Sequence, residues 1–148
     1  MQKPFQKKNN ILNLIRSFFI MIKAHRGQRD KSGRSYIFHP LTVASKVKGF
    51  RAKSVALLHD VIEDNDKYSL DKFSFLDDEQ LEAIELLTHK QEDPYFVYIR
   101  KIKDNEIAKE VKLKDLEHNS DLNRLKTIEE KDIERLEKYK AAKQILLS

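Results

Sequence analysis

Cysteine is absent from this chain, which excludes disulfides and thiolate metal ligands. Any bound metal must therefore rest on histidine, carboxylate or water. Glycine and proline occur only three times each. So few turn formers, beside abundant leucine, isoleucine, lysine and glutamate, argue against a many-stranded fold and for helices. A long apolar run is also missing. The most apolar early stretch, Ile11–Ile22, contains Arg16 and is too short to cross a bilayer. It follows a polar leader and has no small-residue cleavage site, so a signal peptide is not expected and a cytoplasmic protein is. With 148 residues, 40% of them hydrophobic and 36% charged, the chain can bury a core and is not of the disordered class.

Acids are nearly missing from the first third. Residues 1–54 carry 13 Lys/Arg and one acid, Asp30, whereas residues 55–99 carry 3 Lys/Arg and 12 acids. A basic part followed by an acidic part suits a site that grips a polyanion with one and a metal with the other. A basic face that only solubilises the protein fits the asymmetry equally well.

Apolar periodicity places the elements. Ile11, Leu14, Ile15, Phe18, Phe19 and Ile22 recur at helical spacing, predicting a first helix from about Asn10 to His25. Gly27 and Asp30-Lys31-Ser32-Gly33 mark a loop. Pro40 suits the first turn of a second helix, which stops near Gly49. Ala52–Glu63 reads as a third helix, deeply buried through Val55-Ala56-Leu57-Leu58. Further helices are expected around Leu81–Leu87, ending near His89, then over Tyr95–Ile102, Ile107–His118 and Asp132–Leu147. With no internal repeat or linker, the expectation is one all-α domain over residues 1–148, a bundle of six to seven helices.

The chemistry concentrates in three places. Leu57-Leu58-His59-Asp60-Val61-Ile62-Glu63-Asp64 ends an apolar run in four ionisable groups. On a continuous helix His59 would stack near Glu63 and Asp60 near Asp64, forming one patch that needs water or a cation. A lone His-Asp pair means little; this compact patch means more. In Lys112-Leu113-Lys114-Asp115-Leu116-Glu117-His118-Asn119, helical spacing puts Asp115, His118 and Asn119 on one face. A surface salt-bridge ladder accounts for Lys114 and Glu117, less well for Asp115 with Asn119. The third piece is His39-Pro40, a combination that is more often structural than functional.

Together these pieces resemble the HD superfamily, whose metal signature runs His…His-Asp…Asp. More closely, Ala24-His25-Arg26-Gly27-Gln28, Ser32-Gly33, Tyr36, His39-Pro40-Leu41, Val43-Ala44, Leu57–Asp64, Val111–Asp115 and His118-Asn119 look like the hydrolase domain of RelA/SpoT proteins. The match spans about Ala24 to Asn119. The resemblance implies an HD-type fold and hydrolysis of the 3′-pyrophosphate of ppGpp and pppGpp. It also implies one divalent metal on His39, His59, Asp60 and Asp115. Mn²⁺ is the ion expected, and Fe²⁺, Co²⁺ or Zn²⁺ also suit two imidazoles with two carboxylates. By the same resemblance Glu63 and Asp64 would position water and serve as general acid and base. Lys31, Ser32 and Asn119 would hold the nucleotide; Arg29 and Arg26 are added as phosphate contacts on charge alone. His25 matches the pattern outside its metal set and is expected to be supporting or structural.

The chain ends soon after the matched stretch, so a stand-alone small alarmone hydrolase is expected, with a nucleotide as partner and no membrane or nucleic acid. Two departures stand out. Asp30 occupies the place before Lys-Ser-Gly where the family commonly has Arg, and Ser120-Asp121-Leu122-Asn123-Arg124 lacks the Arg usual near Asp121. Two other readings stay open. One is an HD nucleotidase or phosphodiesterase acting on another nucleotide. The other is a non-catalytic nucleotide or nucleic-acid binding module built on the basic third, which would bind without metal and weaken steeply with salt. Tyr95, Tyr98 and Tyr139 sit among apolar neighbours and are expected to pack in the core.

Overall fold

The computed structural model describes residues 9–148. Eight α-helices are found among them: α1 (Asn10–Ala24), α2 (Phe38–Lys46), α3 (Phe50–Leu58), α4 (Val61–Asp64), α5 (Asp78–Leu87), α6 (Tyr95–Ile102), α7 (Glu106–Asn119) and α8 (Glu130–Leu147). Short 3₁₀ turns cover Leu70–Phe73 and Leu122–Arg124. The described residues contain no strand, only an isolated bridge between Arg29 and Ser35. The architecture is all-α, and the expected helices appear within a few residues of their bounds.

α3 is the hub. It packs against α1, α2, α5 and α7, and buries Ala52, Ser54, Val55, Ala56, Leu57 and Leu58. Its C-terminal half, Ser54–Leu58, is buried on every face, as suits an all-round apolar run. α7 lies against α2, α3 and α5, while α8 closes over α6 and α7. Local chemistry sets the ends: Asn9 caps α1, Asp77 and Gln80 form a capping box on α5, and Asn105 caps α7.

One expectation needs correction. The single helix predicted over Ala52–Glu63 is broken into α3 and α4 at His59-Asp60. The His59 ring Nδ1 bonds to the Ala56 carbonyl, the acceptor that a continuing α-helix offers to the Asp60 N–H. Helical bonding resumes with Asp64 N donating to Asp60 O at 3.0 Å. The break lets two adjacent side chains, which a straight helix would turn about 100° apart, enter the same space.

No helix among the described residues is long and apolar enough to cross a membrane. Ile84, fully buried on α5 where it packs toward α3 and α7, tests the packing. Ile84→Ala should destabilise the fold by about 2–5 kcal/mol in chemical denaturation. A loss well under 1 kcal/mol would show that the core is looser than this structure.

Candidate metal centre and substrate cleft

Three segments far apart in the chain converge at the end of α3. α2 presents His39 from its first turn, the α3–α4 break presents His59 and Asp60, and α7 presents Asp115. One ligand atom from each of the four lies within 4.8 Å of the others. His39 Nε2 stands 2.9 Å from Asp115 Oδ1 and 3.6 Å from Asp60 Oδ2. His59 Nε2 stands 3.1 Å from Asp60 Oδ2 and 3.5 Å from Asp115 Oδ1. His39, His59 and Asp115 are buried.

The donor set fits a divalent cation. A carbonyl only accepts, so the His59 Nδ1 facing Ala56 carries the proton, and a neutral ring then turns the Nε2 lone pair to the carboxylates. That Nε2 is buried and has no directed hydrogen-bond partner. Lone pairs facing two carboxylates demand positive charge. Consistently, burial opposes a charged His59, but Asp60 and Asp115 outweigh it and raise its pKa well above the usual imidazole range. Burial likewise works against ionised Asp60, yet His59 holds that carboxyl below its ordinary range. The described residues therefore include a His/Asp cluster able to bind a metal ion.

Neighbouring side chains aim the four donors. Asp115 Oδ2 accepts from Lys112 Nζ at 2.8 Å, and Asp115 Oδ1 accepts from Asn119 Nδ2 at 3.0 Å. Burial disfavours the charge on both Asp115 and Lys112, but each stabilises the other: the carboxyl is held well below its usual pKa and the ammonium well above. Tyr36 donates its hydroxyl to Asp60 Oδ2. Burial and the Asp60 charge raise the phenol's pKa far beyond reach, so it stays a donor. His39 Nδ1 meets His118 Nδ1 at 2.7 Å, the two rings stacked 5.0 Å apart. Burial, then Arg124, push His118 down to about 4, so it is a neutral acceptor that can leave the His39 Nε2 lone pair for a cation.

Glu63 and Asp64 stand at the exposed rim of this cluster. Glu63 Oε1 accepts from the His89 backbone N–H at 2.6 Å. Asp64 Oδ2 accepts from Gln28 Nε2 at 3.0 Å, and Gln28 Oε1 in turn meets His25 Nδ1 at 2.8 Å. Partial burial, and the negative charge of Asp60, raise both carboxyl pKa values. His25 thus supports the site through Gln28.

Beside the cluster opens a cleft of about 390 Å³, lined by residues of the 28–36 loop, the 119–125 segment and the start of α8. Lys31, Ser32, Arg29 and Asn119 all line it; Arg26 does not. The Asp30 carboxylate folds the loop by accepting from Ser32 N, Ser32 Oγ and Arg34 N, while Arg29 reaches Gly33 O at 2.8 Å. Gly33 takes the positive φ of 82° that this tight loop requires. Asp30 also lies 3.7 Å from Arg124 of the 119–125 segment. Gln28, Tyr36 and Asn119 line the cleft and also hold Asp64, Asp60 and Asp115, which joins cleft to cluster.

Sequence reading assigned no role to Arg124 and Arg135, which line the cleft, nor to Tyr36, Lys112 and His118. The last three lay inside the matched motifs; Arg124 and Arg135 had no local signal. Tyr98 is buried and Tyr95 packs on the core as expected, whereas Tyr139 packs on the core and also borders the cleft.

Among models of known protein families, none matches this chain. Over 57 residues it is 44% identical to the guanosine-3′,5′-bis(diphosphate) 3′-pyrophosphohydrolase of Vibrio cholerae. That stretch is 36% of this chain and only 8% of the relative's length. Its backbone resembles a solved structure described as a metazoan ortholog of SpoT that hydrolyzes ppGpp and plays a role in starvation responses. The TM-score is 0.71 at 20% identity, over 90% of this chain and 85% of that one. The shared fold is established by this likeness.

The cluster generates a direct test. After loading with Mn²⁺ and desalting, elemental analysis should find metal in the wild type and little in His59→Ala. Equal content in the two would overturn the assignment of His39, His59, Asp60 and Asp115.

Proposed function

We propose that this chain is a divalent-metal-dependent phosphohydrolase that removes the 3′-pyrophosphate from ppGpp and pppGpp, giving GDP or GTP and pyrophosphate. In this reading residues 1–148 act as one cytoplasmic domain. The observation that carries it is the cluster of two imidazoles and two carboxylates joined, through Tyr36 and Asn119, to a cleft lined by four cationic side chains and three aspartates, two of which pair with Arg124 and Arg135.

His39, His59, Asp60 and Asp115 would hold the metal, with Mn²⁺ the ion that suits a mixed nitrogen and oxygen set. When bound, it supplies Lewis-acid charge that polarises a phosphoryl oxygen and makes water more acidic. The chain's own residues do the rest. Lys112 and Asn119 keep Asp115 aimed inward, Tyr36 does the same for Asp60, and His118 orients His39. Glu63 and Asp64, with raised carboxyl pKa values at the rim, are placed to orient water and to pass a proton. Lys31, Arg29, Arg124 and Arg135 provide charge for the phosphates, while Ser32 and Asn119 offer hydrogen bonds and Leu122, Leu125, Leu136 and Tyr139 an apolar wall for the base.

Asp30 favours a second reading, an HD nucleotidase or phosphodiesterase with another nucleotide substrate. Its carboxylate places negative charge in the cleft, partly offset by Arg124. Product analysis with Mn²⁺ on ppGpp, GTP, deoxynucleoside triphosphates and cyclic dinucleotides separates the two. Pyrophosphate and GDP from ppGpp alone supports alarmone hydrolysis; turnover confined to another nucleotide supports the second.

Glu63→Gln keeps size and hydrogen bonding but removes charge, so it should retain metal and nucleotide while kcat falls roughly 10²–10⁴-fold. Asp64→Asn should behave alike, with the double variant little worse than the poorer single one if the pair acts as a unit. Near wild-type turnover in both singles would make the pair structural. Lys31, exposed on the cleft wall, acts on bound phosphate in ground state and transition state alike. Lys31→Ala should therefore raise KM more than it lowers kcat, and unchanged KM with collapsed turnover would contradict that role.

A further inference from the structure

α1 buries Asn13, Ser17, Met21 and Ala24 on one face and leaves larger apolar side chains outside on the other. Ser17 is fully buried and Asn13 nearly so, whereas Phe19 is 65% exposed and Ile11, Leu12, Ile15 and Phe18 are exposed with it. Ile11, Ile15, Phe18 and Phe19 fall on one stripe, opposite the residues that meet α3. The stripe borders a groove of about 520 Å³ between α1 and α2, closed by Leu41 and Ala44 of α2 and by Lys53 and Leu57 of α3. Phe38 and Phe50, three residues before Leu41 and Lys53 on their helices, are exposed and extend this apolar surface. Contiguous apolar area on this scale marks an interaction surface.

The charges around the groove say what would cover it. α1, α2 and α3 contain Arg16, Lys23, Lys46, Arg51 and Lys53 and no acid. Lys46 pairs with Glu117, and Arg51 with Asp77 and Glu79. The others have no carboxylate partner among the described residues. Lys53 Nζ sits at the groove on the carbonyls of Ala44 and Val47, both at 2.8 Å, and Arg34 lies over the Phe38 ring at 5.1 Å. A symmetric second copy would set these cations against their own kind. Residues 1–8 hold three lysines and no acid, so they too have the wrong sign. A bilayer presents a flat surface and would leave the hollow between two helices unfilled, whereas a helix ridge fits such a groove.

We infer that the α1–α2 groove is a docking site for an amphipathic helix of a partner protein, apolar on the seated face and rich in Asp and Glu along its edges. The surface lies apart from the metal cluster and cleft, so its failure would leave the hydrolase reading untouched.

The test is fluorescence anisotropy with a labelled synthetic helix of about five turns, leucines along one stripe and glutamates elsewhere, and its lysine counterpart. The wild-type protein should bind the glutamate peptide saturably, one to one, and more weakly as salt rises. Binding should be roughly tenfold weaker for the lysine peptide and for Ile15→Ser/Phe19→Ser, with a smaller loss for Lys53→Gln, which keeps donors for the two carbonyls. Because these positions are exposed or lightly held, circular dichroism should show the fold unchanged. Absence of saturable binding, or equal binding of the two peptides, overturns the inference. So does a Phe19-dependent association with vesicles of phosphatidylcholine and phosphatidylglycerol, or a Phe19-dependent dimer in sedimentation.

Discussion

Asp115 carries a negative charge with almost no access to water, and much of the structure around it answers the cost of putting it there. Lys112 contributes the opposite charge from one turn earlier on α7, and His39, His59 and Asn119 surround the other oxygen. Isolated buried charge is among the most expensive features a fold can hold. Its survival here requires α2, α3 and α7 to meet at one point, which is how those helices pack. The lysine satisfies one carboxylate oxygen and leaves the other directed at the two imidazoles, so the same ion pair serves stability and orients the carboxylate within the cluster.

The apolar hub makes this arrangement possible. α3 is buried from Ser54 to Leu58 and then presents His59 and Asp60 at a break where the His59 ring bonds back to Ala56. A rigid, dry helix that ends abruptly in two donors is a good way to place them, since neither has room to turn away. Around that point three residues of the cleft wall, Gln28, Tyr36 and Asn119, each hold a carboxylate of the site. Cleft wall and cluster thus share hydrogen bonds.

The cleft carries the chain's distinctive feature. Asp30 folds the 30–34 loop through three hydrogen bonds and faces Arg124 across the opening. Viewed in the sequence alone it was a sign reversal next to Lys31; in the structure it is the acceptor that gives the loop its shape. α1 adds a separate property, since it buries Asn13 and Ser17 beside Met21 and Ala24 while Ile11, Ile15, Phe18 and Phe19 are left outside. Its helical periodicity was plain in the sequence, but periodicity does not say which side faces the core.

What the sequence determined by itself was the helical class, because apolar spacing and scarce turn formers act locally; the His39, His59-Asp60 and Asp115 motifs, legible as short strings, are the residues that gather into one His/Asp cluster. Lys31, Ser32, Arg29 and Asn119, singled out in the sequence for the nucleotide, line one cleft in the structure. Only the tertiary structure decided the rest. Arg124 and Arg135 reach the cleft from segments with no motif of their own, and His118 serves His39 across 79 positions of chain. The helix break at His59-Asp60 escaped local reading because no Gly or Pro marks it, and it coincides with a side-chain bond to a backbone carbonyl. Such features depend on distances between segments, which are settled when α3 is buried and the other helices close around it.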